Sequence, residues 1–195
     1  ANASGNTAVQ PRYQTGIQNG KPNVYFDGVN DLFTVNPFPS MQSKTGYTYF
    51  LVGKTNVTTA QIATVMKANS GGDVLDLHIG VTSGGYWKVG AAAGLATSSL
   101  ADTNYHIHTL VYDGTLAGSA RIRHRIDGVE QTLNVTTTPA NTAVSNTTYL
   151  YMGTDTSSGN DFNGYLGEVV VYTKKLTEGD IVNTEAYFKN KWNIP

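Results

Sequence analysis

Four glutamates, the only ones in the chain, decide whether paired-carboxylate chemistry is available: Glu130, Glu168, Glu178 and Glu185. Hydrolysis of a glycosidic bond commonly needs two carboxyl groups that flank the bond. Side chains alternate along a strand, so two carboxylates on one strand reach one site only at a short, even spacing, and no two of these glutamates are four residues apart. The sequence therefore argues against a paired-carboxylate hydrolase, and for Glu168 we favour a structural role over a functional one.

Other catalytic arrangements are equally weak. Asp73 and Asp76 are three residues apart and would point to opposite faces of a strand. No Gly-x-Ser-x-Gly elbow is present, although a Ser-His-Asp triad stays open. Cysteine is absent, which excludes disulfides, thiolate metal sites and cysteine nucleophiles. We therefore expect a protein that is not an enzyme.

Metal binding has only partial support. His106 and His108 share one face of a predicted strand and could present two imidazoles to a metal ion, but no third ligand is identifiable, so we favour packing in the core. Calcium binding stays open without assigned ligands, because the acidic residues near turns form no Asp-x-Asp-x-Asp-Gly loop. Those residues are Asp27, Asp31, Asp73, Asp155 and Asp161.

Two groups of residues are candidates for ligand contact. Arg121, Arg123 and Arg125 form a ladder that could capture acidic polysaccharide or carboxylates of a partner, although we favour a solvated face with Arg125 neutralised by Glu130. Tyr86 and Trp87 follow a Gly-Gly turn, and the outward one could stack on a sugar ring while the inward one packs in the core. The sequence predicts that this aromatic lies beside the polar loops 69–73, with Asn69 and Asp73, and 56–59.

Bulk properties set the frame for these sites. The net charge of −1 predicts no nucleic-acid partner, and the absence of a long apolar run predicts a soluble domain with no membrane insertion. Residues 1–22 suggest an irregular N-terminal arm, and residues 23–195 predict one domain. Short β-type segments separated by turn residues follow without an intervening amphipathic helix, which predicts an all-β, two-sheet antiparallel sandwich.

One hairpin can be predicted residue by residue. Asp127 and Gly128 form a two-residue turn of the type that needs positive φ at both positions. That turn sets Ile126 opposite Val129 and Arg125 opposite Glu130, and continues until residue 120 faces residue 135. We expect His124 buried with Gln131 as its hydrogen-bonded partner opposite, and Arg123 exposed.

One short helix is predicted at the C-terminus, over about residues 178–191. Thr177 and Asp180 resemble a capping box, in which the Asp180 carboxylate reaches back to the Thr177 backbone N–H, and Leu176 and Ile181 resemble a hydrophobic staple. Apolar residues then recur at helical spacing as far as Trp192, so the helix should pack on the outside of the sandwich.

Three segments together resemble the LamG, or concanavalin A-like lectin-glucanase, jelly-roll family. They are NGKPNVYFDGVND at 19–31, HIHTLVYDGT at 106–115 followed by IDG at 126–128, and FNGYLGEVVVY at 162–172 followed by the C-terminal helix. An expected first strand before residues 4–6 is missing, which leaves open that the chain is a piece of a larger protein. The resemblance implies a jelly roll that binds carbohydrate or protein, sometimes with calcium, as in bacterial surface proteins and phage structural proteins.

The leading hypothesis is a non-catalytic recognition or decoration module on a phage virion or bacterial exterior, with glycan as its ligand. The alternative is a structural capsid or tail decoration domain that contacts other virion subunits, and a glycoside hydrolase is a remote third. The identity of the glycan, the oligomeric state and the host organism do not follow from the sequence.

Overall fold

A computed structural model shows two antiparallel β-sheets that face each other, one of eight strands and one of seven. One helix packs on the outer face of the seven-stranded sheet. The structure describes residues 2–3, 9–35, 44–57, 62–69, 75–80, 86–89, 92–96, 102–135, 137–142, 149–154 and 161–195; within 2–3, 62–69, 75–80, 86–89, 92–96 and at 149 only the backbone is described. The predicted all-β jelly-roll sandwich with one C-terminal helix is confirmed.

The strands of the described residues are, in chain order, β1 (Asn2–Ala3), β2 (Arg12–Gln18), β3 (Lys21–Asp27), β4 (Phe33–Val35), β5 (Gly46–Thr55), β6 (Ile62–Asn69), β7 (Leu75–Gly80), β8 (Tyr86–Val89), β9 (Ala92–Ala96), β10 (His106–Asp113), β11 (Ile122–Ile126), β12 (Val129–Glu130), β13 (Leu133–Val135), β14 (Tyr149–Met152) and β15 (Asn163–Tyr172), and the helix α1 is Glu178–Trp192. An eight-stranded sheet has the order β1-β4-β14-β6-β7-β8-β9-β13, and a seven-stranded sheet has the order β12-β11-β10-β5-β15-β3-β2.

The central strands of the seven-stranded sheet are buried on both faces. Alternate side chains of β5, including Tyr49 and Leu51, point into the core between the sheets. The intervening ones, Phe50 and Val52, point to the other face and pack under α1. A strand covered on both sides carries a near-continuous apolar run instead of an alternating pattern, which is why 47–52 lacks polar residues other than threonine and tyrosine.

Residues 1–22 are not an irregular arm throughout, so that expectation is wrong over β2. Arg12–Gln18 pairs antiparallel with β3 and forms one edge of the seven-stranded sheet. The expectation of a missing first strand is also wrong, because β1 pairs with β4 in the eight-stranded sheet. β2 was not predicted from the sequence because most of its side chains are exposed, and an exposed edge strand shows little apolar alternation.

The predicted hairpin is confirmed at its turn and wrong beyond it. Asp127 and Gly128 have φ of 49° and 81°, and Ile126 pairs with Val129 as expected. β12 then ends at Glu130, and β13 crosses to the eight-stranded sheet to pair with β9. The pairing predicted from 122 opposite 133 onward therefore does not form, because the apolar side chains of β13 complete the core from the opposite sheet.

His124 is fully buried, as predicted, and Gln131 lies opposite it and donates its backbone N–H to the His124 backbone oxygen at 2.8 Å, but the imidazole itself contacts His108. The Nε2 atom of His124 lies 3.1 Å from Nδ1 of His108, and the two rings stack with centroids 5.3 Å apart. Burial lowers the pKa of His124 to about 3, and burial followed by the nearby His124 lowers the pKa of His108 as well. Both rings are therefore neutral members of the core.

Helix α1 begins at Glu178, as its sequence predicts, and ends at Trp192, one residue beyond the predicted end. The Thr177 hydroxyl accepts a hydrogen bond from the Asp180 backbone N–H at 3.2 Å, but the Asp180 carboxylate accepts from the Thr177 hydroxyl instead of the backbone N–H. Leu176 and Ile181 are both buried, as a hydrophobic staple requires. Asn193 in the left-handed region ends the helix.

A buried ion pair fastens α1 to the sheet. The guanidinium of Arg125 on β11 donates two hydrogen bonds, of 2.8 and 2.9 Å, to the carboxylate of Glu185 on α1. The Thr109 hydroxyl donates a third, at 2.8 Å. The side chains of Arg125 and Glu185 are only 12% and 4% exposed, so neither charge has water as an adequate substitute partner.

We expect Glu185→Ala to lower the free energy of unfolding by about 3–5 kcal/mol, because it leaves the Arg125 charge buried without its main partner. Glu178 offers a matched control on the same helix, since it also pairs with Arg125 but is 55% exposed. Glu178→Ala should cost about 0–1 kcal/mol. Urea unfolding of both variants measures the difference, and equal losses would show that the buried pair does not anchor the helix.

The histidine pair should make stability fall between about pH 6.5 and 5. Because the folded pKa values of His108 and His124 lie below that of an unfolded histidine, the unfolded chain binds more protons, and stability is lost as pH falls through 6.5. The two groups together give a limiting slope of about 2.7 kcal/mol per pH unit. Above pH 5 the carboxylates contribute little.

His106 provides the opposite control. Burial alone would lower the pKa of His106, but hydrogen bonds that the Asp127 and Asp102 carboxylates accept from its ring raise it. Its contribution to stability is therefore present at low pH and lost as pH rises through the folded pKa. Urea unfolding at several pH values should show a shallower slope in His124→Gln and a steeper one in His106→Gln. An unchanged slope in His124→Gln would contradict a neutral buried pair.

Candidate functional site

The aromatic site predicted from sequence falls where the structure describes backbone alone or nothing. Tyr86 and Trp87 are the first residues of β8, and Asn69 is the last residue of β6. Asp73 lies outside the described residues. The assignment of Tyr86, Trp87, Asn69 and Asp73 to a ligand site stays a prediction.

The strand register describes only where the backbone of these residues lies. Ala68 on β6 pairs with Leu75 on β7, which pairs with Val89 on β8, so Asn69 lies at the Val89 end of these strands. Tyr86 lies at the other end of β8, about 10 Å along the strand. Asn69 and Tyr86 therefore do not lie side by side, because two consecutive hairpins reverse the chain between them.

The arginines are occupied by protein partners. Arg121 lies in a 3-10 turn, Gly118–Arg121, and donates to the backbone oxygens of Leu116 and Pro139 at 2.8 and 2.5 Å. Arg123 donates two hydrogen bonds, of 3.0 and 2.8 Å, to the Glu130 carboxylate and one of 3.0 Å to the Glu178 carboxylate. The face of Arg123 and Arg125 that we expected to be solvated is instead the surface on which α1 lies, and the guanidinium groups of these two residues are engaged by glutamates.

His106 is likewise satisfied within the fold. Its Nδ1 lies 2.5 Å from Asp127 and its Nε2 lies 2.9 Å from Asp102, so neither ring nitrogen is free for a metal ion. Among the described residues, no group of three histidine, aspartate or glutamate side chains could hold a metal ion. Calcium binding stays untested, and the carboxylate of Asp31, one of the acidic residues near turns, accepts a hydrogen bond from the Asp27 backbone.

A groove of about 500 Å³ runs between α1 and the outer face of β15, and we call it the α1–β15 groove. Its volume falls within the range of small-ligand sites. Apolar side chains form the floor, and polar and aromatic side chains rise on both sides. The lining residues are Glu168, Val170, Tyr172, Lys174, Leu176, Asp180, Asn183, Thr184, Tyr187 and Phe188.

The geometry of β15 produces this groove. Glu168, Val170 and Tyr172 alternate along the strand and so face the helix together. β15 pairs with β3 only from Asn163 to Leu166, so the second half of β15 has no described strand beside it on that side. Helix α1 crosses above this half, and the space between the two elements is open at the sheet edge.

Lys191 contacts both Glu168 and Tyr187, which line the groove. Its ammonium lies 2.7 Å from the Glu168 carboxylate and 5.4 Å from the centroid of the Tyr187 ring. The Trp192 indole N–H donates to the same Glu168 oxygen at 3.0 Å. The hydrogen bond with Glu168 raises the pKa of Lys191, so the cation persists and holds Glu168 and Tyr187 in fixed positions.

Tyr187 is the exposed aromatic of this wall, with 54% of its surface in contact with solvent. From Asp180 to Tyr187 the helix extends about 10 Å, which is room for a short oligosaccharide. The charges that line the groove are mixed in sign, since Glu168 is paired with Lys191 and the lining also contains Asp180 and Lys174. The groove therefore offers an apolar ring and uncharged hydrogen-bonding groups such as Asn183.

Sequence reasoning missed Tyr187 because it assigned only one apolar stripe to α1. Phe188 belongs to that stripe and is buried, and Tyr187, its neighbour, was left on the solvent side. A usable signal was present in the alternation of Glu168, Val170 and Tyr172, which marks an outer face of mixed polarity beside the helix.

Carboxylates available for hydrolysis are scarce. All four glutamates are engaged: Glu130 and Glu178 by Arg123, Glu185 by Arg125, and Glu168 by Lys191 and Trp192. The pairing with Arg123 lowers the pKa of Glu178, which is opposite to what a general acid needs. The structural role favoured for Glu168 agrees with its contacts, although its carboxylate also lines the groove.

Solved structures share this fold. Domain 4 of AbnA, an extracellular GH43 arabinanase from Geobacillus stearothermophilus, in complex with arabinotriose, has a TM-score of 0.68 and 14% identity, covering 89% of this chain and 80% of that domain. The binding domain of botulinum neurotoxin serotype D has a TM-score of 0.62 and 12% identity over 92% of this chain and 45% of that one. A pentraxin from Limulus polyphemus has a TM-score of 0.60 and 12% identity over 84% and 81%.

Curated protein sequences add no relative, since none matches the chain at a significant level. Within the described residues, no helix has both the length and the apolar character that crossing a membrane requires.

The sequence also matches a family model directly. The Laminin_G_3 model aligns with residues 18–182, which include every strand from β3 to β15 and the first turn of α1. This match agrees with the two-sheet architecture and with the likeness to solved jelly-roll domains. The chain belongs to the concanavalin A-like lectin/glucanases superfamily.

Proposed function

We propose that this chain is a non-catalytic carbohydrate-recognition module and that sugars bind in the α1–β15 groove. The observation that carries the proposal is the exposed Tyr187 ring above an apolar floor, beside hydrogen-bonding side chains that include Asn183 and Thr184. Sugar rings present C–H faces to aromatic rings and hydroxyls to polar groups, so one wall of each kind suits them.

The pairing of the glutamates supports a binding role over a catalytic one. A retaining or inverting hydrolase needs one carboxyl group that keeps a proton near neutral pH and a second that acts as nucleophile or base. Here the glutamate carboxylates lie against cations, which favour the ionised form. The proposal is therefore that the module binds sugars and leaves them intact.

The similar structures are consistent with this role. One neighbour is a domain of an extracellular arabinanase seen with arabinotriose, and another comes from botulinum neurotoxin type C, which depends on interaction with two ganglioside molecules to enter cells. At 10–14% identity these neighbours share the fold and no demonstrated site with this chain. We propose an exterior location, on a bacterial surface or a phage virion, where glycans are met.

A second candidate function is decoration by protein–protein contact. It is favoured by β2, an edge strand of the seven-stranded sheet on which Tyr13 is 70% exposed. Strand edges and exposed aromatics are common in protein interfaces. This candidate predicts that Tyr13, and not Tyr187, is the residue whose loss impairs function.

We expect Tyr187→Ala to weaken sugar binding about tenfold or more, because the ring supplies the apolar platform of the groove. The exposed ring contributes little to folding, so the thermal melting curve should be nearly unchanged. Tyr13→Ala is the matched control, because it removes another exposed tyrosine remote from the groove. A glycan array identifies the ligand, and calorimetric titration then compares the three proteins.

Two results would contradict the proposal. Absence of binding to every glycan on the array would favour the decoration role. Loss of binding in Tyr13→Ala but not in Tyr187→Ala would place the sugar elsewhere.

A further inference from the structure

A row of aromatic and basic side chains crosses four strands on the outer face of the seven-stranded sheet. Arg12 on β2 pairs with Tyr25 on β3, Tyr25 pairs with Tyr165 on β15, and Tyr165 pairs with Lys54 on β5. Directly paired residues project from the same face of a sheet. We call Arg12, Tyr25, Tyr165 and Lys54 the tyrosine row; it lies beyond the C-terminal end of α1.

The rings and cations of the tyrosine row contact one another. The Tyr25 and Tyr165 ring centroids are 5.0 Å apart. The Lys54 ammonium lies 5.1 Å from the centroid of Tyr165 and 5.6 Å from that of Tyr105. Arg12 is exposed, while Tyr25, Tyr165 and Lys54 are partly exposed, so the row forms a continuous surface.

Within the described residues, the two cations of the row have no carboxylate at ion-pairing distance. Arg123, Arg125, Lys175 and Lys191 form ion pairs in this part of the chain, whereas Arg12 and Lys54 form neither an ion pair nor a hydrogen bond with the residues described. With strands about 4.8 Å apart, the backbone positions of Arg12 and Lys54 lie about 14 Å from each other with two tyrosines between them. Such a surface attracts an anion.

Amide groups border the row at the next outward position of the strands. The Asn56 amide donates to the Asn163 side-chain oxygen at 3.1 Å, and the Asn163 amide donates to the Asp27 backbone oxygen at 3.1 Å. These bonds fix the orientation of both amides and leave the exposed Asn56 side chain with remaining hydrogen-bonding capacity. Oriented amides beside aromatic rings suit the hydroxyls of a sugar.

A cleft of about 620 Å³ adjoins the Lys54 end of the row. Its wall carries Asp102 and Asp127, and both contact the His106 ring. Hydrogen bonds to His106 offset part of their charge, and the pKa of His106 is raised, although burial alone would lower it. Other carboxylates lie nearer the row: the buried Asp31 interacts electrostatically with Arg12, and Asp27, two residues after Tyr25, accepts a hydrogen bond from the Val29 backbone N–H. The row itself presents the Arg12 and Lys54 cations beside its tyrosines.

We propose that the tyrosine row binds a carboxylated sugar residue, such as a uronic acid, within a longer glycan. The carboxylate pairs with Arg12 or Lys54, and the sugar ring lies on Tyr25 and Tyr165. This inference rests on the proposed carbohydrate-binding function. Tyr165 precedes Glu168 of the α1–β15 groove by about 10 Å along β15, so one oligosaccharide can contact both surfaces.

The same combination of rings and cations could bind a single-stranded nucleic acid by stacking its bases. The chain carries a net charge of −1, and the row contains only two cations, which is little for a polyphosphate backbone. A sugar with one carboxylate per residue fits that limited charge better.

The experiment compares two probes that differ only in charge: a galacturonic acid tetramer and its methyl ester. The wild type should bind the acid more tightly than the ester, and the preference should weaken with added salt. The double variant Arg12→Gln/Lys54→Gln should lose the preference, with about a tenfold or greater loss in affinity for the acid. Lys21→Gln is the control, because Lys21 is on β3, the strand that carries Tyr25, but lies outside the row. Thermal melting curves verify that each variant is folded.

The outcomes separate this inference from the groove. Equal binding of acid and ester, or a preference that survives in the double variant, overturns the tyrosine row as an acid site even if Tyr187→Ala impairs binding. Loss of the preference in the double variant, with Tyr187→Ala unaffected, supports the row and overturns the groove. Tight binding of oligothymidylate in place of either sugar overturns both.

Discussion

The ion pair between Arg125 and Glu185 holds the outer layer of the molecule in place. It joins β11, near one edge of the seven-stranded sheet, to the middle of α1, and the Thr109 hydroxyl completes the coordination of the carboxylate. It acts together with hydrophobic contacts such as Phe188 over Phe50 and with the contacts of Lys191 and Trp192 to Glu168. A charged pair with two parallel hydrogen bonds has a defined geometry, and it fixes the position of the helix above β15.

That arrangement also determines which charged groups remain available. Glu130, Glu178 and Glu185 neutralise Arg123 and Arg125, so the cluster beneath α1 is closed to ligands. Arg12 and Lys54 lie on the part of the same sheet face that α1 does not cover. The covered face uses charge for cohesion, and the uncovered face presents it to solvent.

Local signals in the sequence predicted local structure well. The cap at Thr177 and the turn at Asp127 and Gly128 follow from the conformational needs of a few adjacent residues, and both are confirmed. The path after Glu130 did not follow, because the choice of β13 between its hairpin partner and β9 depends on the core between the sheets. Burial of His124 was predictable from alternation, but its contact with His108 required knowledge of which strand lies beside β11.

The candidate sites could not be predicted from the sequence, because they too depend on contacts between distant segments. Tyr187 and Glu168 come from a helix and a strand whose relative position is set by contacts elsewhere in the fold. The tyrosine row joins residues from positions 12 to 165, and only the pairing of four strands brings them together. The predicted site at Tyr86 and Trp87 relied on residues adjacent in sequence, which is the part of a binding surface that sequence shows best.

One extra residue in β15 connects the two proposed surfaces. Leu166 pairs with Gly53 and Glu168 pairs with Val52, so Gly167 is an additional residue in the strand. If Gly167 were paired regularly opposite Val52 instead of bulged, Glu168 and Tyr172 would turn into the core, because a shift of one residue exchanges the faces of a strand. A side chain at 167 would meet the Trp192 ring at 2.6 Å, so glycine allows the indole to lie against the strand and donate to Glu168. The bulge thus keeps a tyrosine, a glutamate and a second tyrosine on one face, and the proposal that one glycan contacts both the tyrosine row and the groove depends on that continuity.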